Sequence, residues 1–363
     1  MRSSLFIILG FMLFACSQKT KEVVKVDVSE DIVIPRQYVA FKTSEEISVD
    51  GLPNETSWKK ASFTDKFIDI EGEKSPSLDS QVKMVWDDQF LYIYARLEEP
   101  HIWGDITKRD AIIYHNNDFE VFIDPSGTGF RYGEIELNAL NTVWDLFLNA
   151  PYRVGAYPLF EWNLDELKTA IHIEGTLNDP SDTDSFWAVE MAIPLKPYFR
   201  MVHGSKGKLR KNEQWRINFS RVQWDHDIVD GKYQRKRENG KRLEEHNWVW
   251  SNMKTIDMHQ PEKWGYIQFS ENSDLNKVEF QVDEDLLIKQ TAYALFRKTL
   301  LGELKHMRKE DNIYQQLLKV KYDSKKEIEA LFYKTNSGFE YTITSPNTSK
   351  TYVINNEGKL KIL

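Results

Sequence analysis

The chain has 363 residues, of which 41% are hydrophobic and 29% are charged, and this composition excludes wholesale disorder. Acidic residues outnumber basic ones by 56 to 48, and the resulting net charge of −8 argues against nonspecific binding to nucleic acid or to an anionic lipid surface. The single cysteine excludes an intramolecular disulfide and cannot by itself hold a structural zinc ion. This length favours either two domains or one large domain with an appendage.

The first residues predict a signal peptide and a lipid anchor. A short apolar run follows Arg2, long enough for a secretory signal but too short to span a bilayer. The run ends in Leu13-Phe14-Ala15-Cys16, which resembles the lipobox of bacterial lipoproteins. The resemblance implies that residues 1–15 are removed and that Cys16 carries lipid. We therefore expect a protein held at the bacterial cell envelope, on the outer membrane or a periplasm-facing membrane. A plain secretory signal with a chance cysteine is the alternative.

The composition changes along the chain and predicts its organisation. Polar and charged residues follow Cys16, which is typical of a flexible tether. All 11 tryptophans lie between Trp58 and Trp264, so we expect a boundary close to residue 271. The predicted units are a tether over 16–35, a domain over 36–270 and an appendage over 271–363.

Period-two alternation of apolar and polar residues predicts strands throughout the unit 36–270. Turn sequences such as Asp124-Pro125-Ser126-Gly127 and Asp230-Gly231 separate the predicted strands. Many short strands without a helical repeat between them favour two packed antiparallel sheets, and we therefore predict an all-β fold, an antiparallel β-sandwich. The clearest predicted strands are 82–86, 91–97, 119–123, 134–138, 187–193, 215–219 and 265–269.

The appendage has a different pattern, which predicts a smaller C-terminal α+β unit. Apolar residues recur at helical spacing over 283–308, so we expect one amphipathic helix there. Alternation over 339–343 and 351–354 predicts a small β-meander. No motif in this unit specifies chemistry.

An unusual number of carboxylates accompanies the strand 116–125 and the strand after it. In strand geometry Phe119, Val121 and Ile123 of the first strand point to the core, as do Ile135 and Leu137 of the second. The opposite face carries Glu120, Phe122, Glu134, Glu136 and Asn138. Sugars are bound by carboxylate acceptors, amide donors and flat aromatic rings, so this face predicts a sugar site. A solvated sheet face is the alternative interpretation.

The same carboxylates also allow an enzymatic interpretation. Glu120, Glu134 and Glu136 would supply the paired acid and base of a glycoside hydrolase. The chain lacks Gly-x-Gly-x-x-Gly, Gly-x4-Gly-Lys, His-Glu-x-x-His and Gly-x-Ser-x-Gly, which removes the common enzyme motifs. We favour binding without turnover, because hydroxyl recognition explains the same residues and no cleft motif supports hydrolysis.

An ordered series of motifs over roughly residues 47–269 resembles the family 9 carbohydrate-binding modules. The resemblance implies a β-sandwich that binds an oligo- or polysaccharide without cleaving it, often at the reducing end of a chain. It fits a lipoprotein that supports glycan capture or catabolism, contacts a membrane only through its anchor and binds no nucleic acid. The motifs are Trp86-Asp87-Asp88, the strand 117–124, Glu136-Leu137-Asn138, the strand 187–194 and Pro261-Glu262-Lys263-Trp264-Gly265.

The resemblance also implies which residues bind the sugar. The binding glutamate of the family falls on Glu120, its asparagine on Asn138 and its first stacking aromatic on Tyr114. Where the family has a binding arginine, this chain has Glu136. We therefore expect a site of the same layout in which one positive charge is replaced by a negative one.

The second stacking tryptophan of the family falls near Met258 or His259 in this chain, so we count His259 among the binding residues. The same position suggests a further alternative, because some similar sandwiches hold haem through methionine and histidine. Met258 with His259 or His115 would then be the ligands. The chain has no Cys-x-x-Cys-His motif for covalent attachment of haem.

The sequence does not predict which residues would bind a metal ion. The resemblance implies structural calcium in some members of the family and no other cofactor. The tripeptide Asp225-His226-Asp227 offers metal-ligating groups, but two carboxylates around one histidine on a polar loop are more simply solvated.

Other residues extend the predicted site or constrain its surroundings. We expect Trp103 to be an exposed loop ring and Trp144 to be a core or rim ring, both close to the sugar. Residues 151–153 follow the polar strands and extend the site. Alternation turns Arg221 inward, so it needs a buried acidic partner such as Glu190 or Glu120.

Overall fold

The computed structural model describes residues 23–274, 278–310 and 312–363. The signal peptide predicted over 1–15 and the lipidation predicted at Cys16 lie outside the described residues. Within the described ranges, no helix is both long and apolar enough to cross a membrane.

Strands dominate the chain up to residue 270, together with two short helices, α1 (Thr56–Lys60) and α2 (Leu195–Met201). In chain order the strands are β1 (Val24–Asp27), β2 (Gln37–Phe41), β3 (Ile68–Asp69), β4 (Ser80–Trp86), β5 (Phe90–Glu98), β6 (Asp118–Asp124), β7 (Tyr132–Asn138), β8 (Val143–Leu148), β9 (Pro158–Leu159), β10 (Lys168–Glu174), β11 (Phe186–Pro194), β12 (Gln214–Gln223), β13 (His226–Val229), β14 (Lys232–Arg235), β15 (Arg237–Glu238), β16 (Lys241–Arg242), β17 (His246–Val249) and β18 (Gly265–Ser270).

The remaining chain combines helices and strands, as predicted for the appendage. Its helices are α3 (Leu286–Leu300) and α4 (Lys305–Lys309). Its strands are β19 (Tyr314–Asp323), β20 (Lys326–Lys334), β21 (Phe339–Thr344), β22 (Thr351–Asn355) and β23 (Leu360–Ile362).

Two packed sheets form the larger unit and confirm the predicted antiparallel β-sandwich. The small sheet has the order β10-β11-β5-β4, and the large sheet has the order β2-β18-β12-β6-β7-β8-β9. In the large sheet, β17 also pairs with β12, and β3 pairs with β17. All pairs in these two sheets are antiparallel except β2, which lies parallel to β18. The alternating apolar residues of both sheets, such as Val121, Ile135 and Val189, fill the core between them.

The outer face of the large sheet is covered, which makes the solvated-face interpretation wrong. Every residue of β6 and β7 is buried, including the polar ones that point away from the sandwich core. A second apolar cluster lies on this outer face and includes Phe122, Trp144, Met258 and Trp264. Polar residues of β6 and β7 therefore lie inside the protein rather than on its surface.

The predicted tether is wrong over Val24–Asp27, because these residues form a strand. Residues 16–22 of the predicted tether lie outside the described residues. This strand, β1, pairs in parallel with β19, placing Val24 beside Leu318 and Val26 beside Val320. Val26 is buried in the core of the C-terminal unit. The short period-two pattern of valines within a polar segment is the signal that the sequence prediction missed.

The C-terminal unit is a six-stranded sheet in the order β1-β19-β20-β21-β22-β23, with α3 packed against it. The predicted meander corresponds to β21 and β22, whereas the sequence analysis missed the hairpin of β19 and β20. The single helix predicted over 283–308 is divided into α3 and α4. A Cβ atom on Gly302 would lie 2.8 Å from the Cα atom of Lys298, so the chain turns where the missing side chain permits a close approach.

The two units meet at a buried charged cluster around Glu262. The Glu262 carboxylate pairs with Arg153 of the sandwich at 2.7 Å and with Arg297 of α3 at 2.8 Å. Its backbone carbonyl accepts hydrogen bonds from the side chains of Arg216 at 2.8 Å and Gln290 at 2.6 Å. We call these five residues the Glu262 cluster.

Candidate functional site

Four buried carboxylates lie together on the outer face of the large sheet: Asp118 and Glu120 on β6, and Glu134 and Glu136 on β7. We call these four residues the acidic pit. Strand register explains their proximity, because Glu120 lies directly opposite Glu136 and each strand adds another acidic residue two positions away on the same face. Oxygens of Asp118, Glu120 and Glu136 lie within 4.8 Å of one another.

The carboxylates of the acidic pit receive few hydrogen bonds. Asp118 Oδ1 accepts one from the backbone N–H of Val222 at 3.1 Å, and Glu136 Oε2 accepts one from the backbone N–H of Tyr114 at 3.2 Å. Asp118 Oδ2 and Glu134 Oε2 are buried and have no hydrogen-bond partner among the described residues. Such oxygens are costly to bury unless something else supplies a positive or hydrogen-bonding group.

No lysine or arginine of the described ranges forms an ion pair with the acidic pit. The nearest basic group is the Nε2 atom of His259, 4.0 Å from Glu134 Oε2. Burial lowers the pKa of His259 to about 4, so its ring is neutral at pH 7. The pit therefore contains several negative charges or shared protons without a compensating cation from the protein.

Burial changes the acidity of these carboxylates strongly. It raises the pKa of Glu120 to about 7. It also raises the pKa values of the other three pit carboxylates well above their ordinary range, and the negative charge of Glu120 adds to this effect. Like charges placed opposite each other in a sheet are destabilising, so this arrangement requires an explanation beyond folding.

Two exposed tyrosine rings border the acidic pit. Tyr114 lies on the short 3-10 turn Ile113–His115 and is 36% exposed, and Tyr152 begins the turn Tyr152–Val154 and is 42% exposed. The ring of Tyr152 contacts the edge of His259, with ring centroids 4.4 Å apart. Burial, followed by the charges of Glu134 and Glu136, raises the pKa of Tyr152, which is consistent with a ring lying beside the pit.

The structure changes the assignment of the second aromatic surface. Met258 is buried in the apolar cluster with Trp264, and the ring of His259 packs beside Phe122 and Tyr132. His259 Nδ1 lies 2.9 Å from the hydroxyl oxygen of Tyr132. The exposed ring at this side of the pit is Tyr152, within the segment that the sequence predicted to extend the site.

Asn138 lies on the predicted face, but its side-chain amide is engaged in local hydrogen bonds and is not free to bind a ligand. Its amide nitrogen donates to the carbonyl of Ile106 at 2.9 Å and to Asn116 Oδ1 at 3.1 Å. Its amide oxygen accepts from the backbone N–H groups of Leu140 and Thr142 at 3.1 and 3.0 Å. All four hydrogen-bonding positions are occupied, so Asn138 acts by positioning the chain around residues 106 and 116.

The two tryptophans predicted near the site have different positions. Trp103 is buried rather than exposed, and it stacks on Tyr233 with ring centroids 6.2 Å apart. Trp144 lies opposite Glu136 in the strand register and stacks on Phe160, with ring centroids 6.0 Å apart. The buried indole N–H of Trp144 has no acceptor among the described residues, so it is a free donor bordering the pit.

The expected partners of Arg221 were wrong, although its inward orientation was predicted. Arg221 pairs with Glu99 at 3.1 Å. Period-two alternation places Arg221 on the core side of β12, while Glu120 points to the outer face, so the two cannot meet. Glu190 is buried elsewhere and accepts from the indole N–H of Trp58 at 2.8 Å.

Comparison with known families and structures gives matches over the sandwich. The family described as carbohydrate family 9 binding domain-like matches residues 49–272, more than half of the chain. No curated protein matches the chain.

Three solved structures are similar to this chain. A family 9 carbohydrate-binding module from Caldicellulosiruptor kristjanssonii in complex with cellotriose is 14% identical, with a TM-score of 0.42, and the match covers 68% of this chain and all of that one. A module from the same organism in complex with glucose is 15% identical, with a TM-score of 0.42, covering 66% of this chain and 98% of that one. A protein from Bacteroides uniformis, provisionally described as carbohydrate-binding, is 14% identical, with a TM-score of 0.48, covering 65% of this chain and 100% of that one.

Proposed function

This chain belongs to the carbohydrate family 9 binding domain-like family, and from that membership we propose that it binds carbohydrate without cleaving it, at the acidic pit. The observation that carries the location is the combination of two exposed tyrosine rings with buried, unpartnered polar atoms between them. We infer that a sugar ring lies against Tyr114 and Tyr152.

The chemistry of a sugar matches what this site lacks. Its C–H faces are apolar and flat enough to stack on the tyrosine rings, and its hydroxyl groups both donate and accept hydrogen bonds. Hydroxyl donors would satisfy Asp118 Oδ2 and Glu134 Oε2, and a hydroxyl oxygen would accept from the indole N–H of Trp144. A ligand that forms hydrogen bonds with these buried groups removes the free-energy penalty of leaving them unsatisfied, and this favours binding.

The arrangement of Glu120 and Glu136 favours binding over hydrolysis. In glycosidases, the two catalytic carboxyl groups flank the scissile bond, so that one protonates the leaving oxygen while the other acts from the opposite side. Here the two residues are directly opposed neighbours on the same face of one sheet. Both would approach a bound sugar from the same side.

The haem alternative is not favoured by any contact at this site. Met258 is packed in the apolar cluster and His259 is hydrogen-bonded to Tyr132, so both are engaged in packing the sheet face. His115 contacts the ring of Tyr114, with ring centroids 5.0 Å apart. These three side chains are explained without a cofactor.

Calorimetric titration with cellotriose and glucose, preceded by a glycan array to select further sugars, tests the proposed site. Replacing Tyr114 or Tyr152 by alanine should raise the dissociation constant about fivefold, because loss of a stacking ring costs on the order of 1 kcal/mol. The melting temperature of both variants should stay close to that of the unmodified protein, since both rings are partly exposed.

Tyr333→Ala provides the matched control, because this half-buried tyrosine lies on β20 in the C-terminal sheet. Its removal should leave sugar affinity unchanged. If an established sugar ligand binds Tyr114→Ala and Tyr152→Ala as tightly as it binds the unmodified protein, the binding surface lies elsewhere on the sandwich.

We also propose that the protein is anchored at the cell envelope through lipid on Cys16 and supports glycan capture there. The support is the lipobox-like tetrapeptide at the end of a short apolar run. In a Cys16→Ser variant the protein should leave the membrane fraction, and mass spectrometry should detect the acyl adduct only on the unmodified chain. Membrane retention of Cys16→Ser, without any adduct on the unmodified chain, would contradict the anchor.

A further inference from the structure

The acidic pit presents an unbalanced charge that sugar binding alone does not resolve. Four carboxylates are buried next to one another, and none has a lysine or arginine ion-pair partner among the described residues. A neutral sugar can donate hydrogen bonds to them, but it brings no positive charge. Buried this close together without a counter-charge, the four carboxylates can ionise only at a large cost, which a cation would remove and a neutral sugar would not.

Unpartnered oxygens provide independent evidence that something else occupies this place. Asp118 is fully buried, and its Oδ2 atom has no hydrogen-bond partner in the part of the chain that the structure describes. Glu134 lies beside the three carboxylates whose oxygens converge, is also more than nine-tenths buried, and its Oε2 atom is likewise unpartnered. Both oxygens are therefore available to a ligand inside the protein.

The geometry matches that of a cation held by oxygen ligands. Oxygens of Asp118, Glu120 and Glu136 all lie within 4.8 Å of one another. Two oxygens bound to one calcium ion, each at about 2.3 to 2.6 Å, can be separated by up to roughly 5 Å. The three carboxylates can therefore bind one ion without any rearrangement of β6 and β7.

We propose that Asp118, Glu120 and Glu136 bind a divalent cation, with Glu134 beside it, and that this cation contacts the hydroxyl groups of the bound sugar. The second half of this inference rests on the proposed function, whereas the cation site itself does not. Calcium is the ion of matching chemistry, since the ligands are all hard oxygen atoms.

Calcium fits this site better than magnesium for a physical reason. Magnesium demands near-ideal octahedral geometry and keeps several of its waters, whereas calcium accepts six to eight oxygens in irregular arrangements. Three carboxylates fixed by the pleat of two strands leave some of these six to eight positions unfilled. Two neighbouring sugar hydroxyls can fill such positions. The ion then supplies a positive charge at the place where the family has a binding arginine and this chain has Glu136.

The direct test is titration of the purified, EDTA-treated protein with CaCl2, followed by calorimetry and by thermal melting. We expect one calcium ion for each chain. At a calcium concentration 100-fold above the dissociation constant, the melting temperature should rise by roughly 3 to 5 °C, because the ion binds the folded state selectively. Magnesium chloride at the same concentration should give a smaller shift.

Conservative variants locate the ion. Glu136→Gln and Asp118→Asn each remove one charged ligand with little change of volume, and each should weaken calcium binding at least tenfold. Asp225→Asn is the matched control, because it removes an exposed carboxylate from the Asp225-His226-Asp227 segment, and it should leave calcium binding unchanged. Calcium binding that Asp225→Asn abolishes and Glu136→Gln preserves would overturn the assignment.

Sugar titrations in calcium and in EDTA separate this inference from the proposed function. We expect cellotriose, or whichever sugar the glycan array selects, to bind at least tenfold more weakly in EDTA. Sugar binding that is equal in both buffers, with no calcium heat and no melting shift, overturns the cation site and leaves the carbohydrate-binding function intact. Calcium binding without affinity for any sugar supports the cation site and contradicts the proposed function.

Discussion

Among the described residues, the Glu262 cluster and the acidic pit are two clusters of buried charge that are built in opposite ways. In the Glu262 cluster, one carboxylate is paired with two arginines from different units at 2.7 and 2.8 Å. In the acidic pit, four carboxylates lie together, and the nearest basic group is a neutral histidine 4.0 Å from one of them. Both clusters are largely buried, so exposure does not distinguish them.

The difference concerns where the positive charge for each cluster comes from, the chain itself or a ligand. Charges that the fold pairs internally stabilise the contact between two parts of the same chain, and their removal exposes the cost of burying the remaining partner. Charges that the fold leaves unpaired destabilise the protein until a ligand arrives. We therefore assign the Glu262 cluster to assembly of the two units, and we propose ligand binding as the role of the acidic pit.

The largest expected effect is in the Glu262 cluster. Glu262→Ala would leave Arg153 and Arg297 buried without a carboxylate, and loss of one partner of a buried ion pair costs about 3 to 5 kcal/mol. Chemical denaturation should show this loss as a lower midpoint. A change below about 0.5 kcal/mol would mean that the cluster does not hold the units together.

Low pH should weaken the same cluster. Burial alone would raise the pKa of Glu262, but the guanidinium groups of Arg153 and Arg297 outweigh it and lower the pKa to about 2. Glu262 therefore stabilises the fold fully above its unfolded pKa of 4.5, and this contribution is lost as the pH falls from 4.5 through about 2. Denaturation midpoints should fall over this window, and the decline should be shallower in Glu262→Gln.

The contribution of the acidic pit to stability should change with pH in the opposite direction, and at higher pH values. Because burial raises the pKa of Glu120 to about 7, the folded protein holds a proton that the unfolded chain has already released above pH 4.5. In EDTA, this contribution to stability is present below pH 4.5 and is lost as the pH rises through about 7. Denaturation in EDTA at several pH values checks this, and stability that rises over this window would contradict it.

A single substitution in the acidic pit should have the smallest effect, with the opposite sign to that in the Glu262 cluster. In EDTA, at a pH high enough to ionise both groups, Glu136→Gln removes the charge directly opposite Glu120, and relief of such a like-charge pair is worth about 0.2 to 1 kcal/mol. The variant should therefore unfold at a slightly higher denaturant concentration than the unmodified protein. Destabilisation comparable to that of Glu262→Ala would mean that the pit is a structural network.

Much of the candidate site could be predicted from the sequence because strand geometry is simple. Alternation assigns each residue of β6 and β7 to one of two faces, and therefore groups Glu120, Glu134 and Glu136 on the same one. The pattern did not reveal that this face is buried, because burial depends on loops that return from distant parts of the chain. Asp118 was not among the predicted binding residues, although the same alternation places it beside Glu120.

Sequence alone determined the sandwich and its polar face, since these follow from local period-two patterns. The placing of Tyr114 beside that face came from the family resemblance. Only the tertiary structure decided that Tyr152 forms the second ring surface, that Asn138 is fully occupied by local hydrogen bonds, and that Arg221 pairs with Glu99. The pairing of residues 24–27 with the C-terminal sheet was also visible only in the tertiary structure. The physical reason is that local periodicity specifies which way a side chain points, whereas its partner is chosen by packing between segments far apart in the chain.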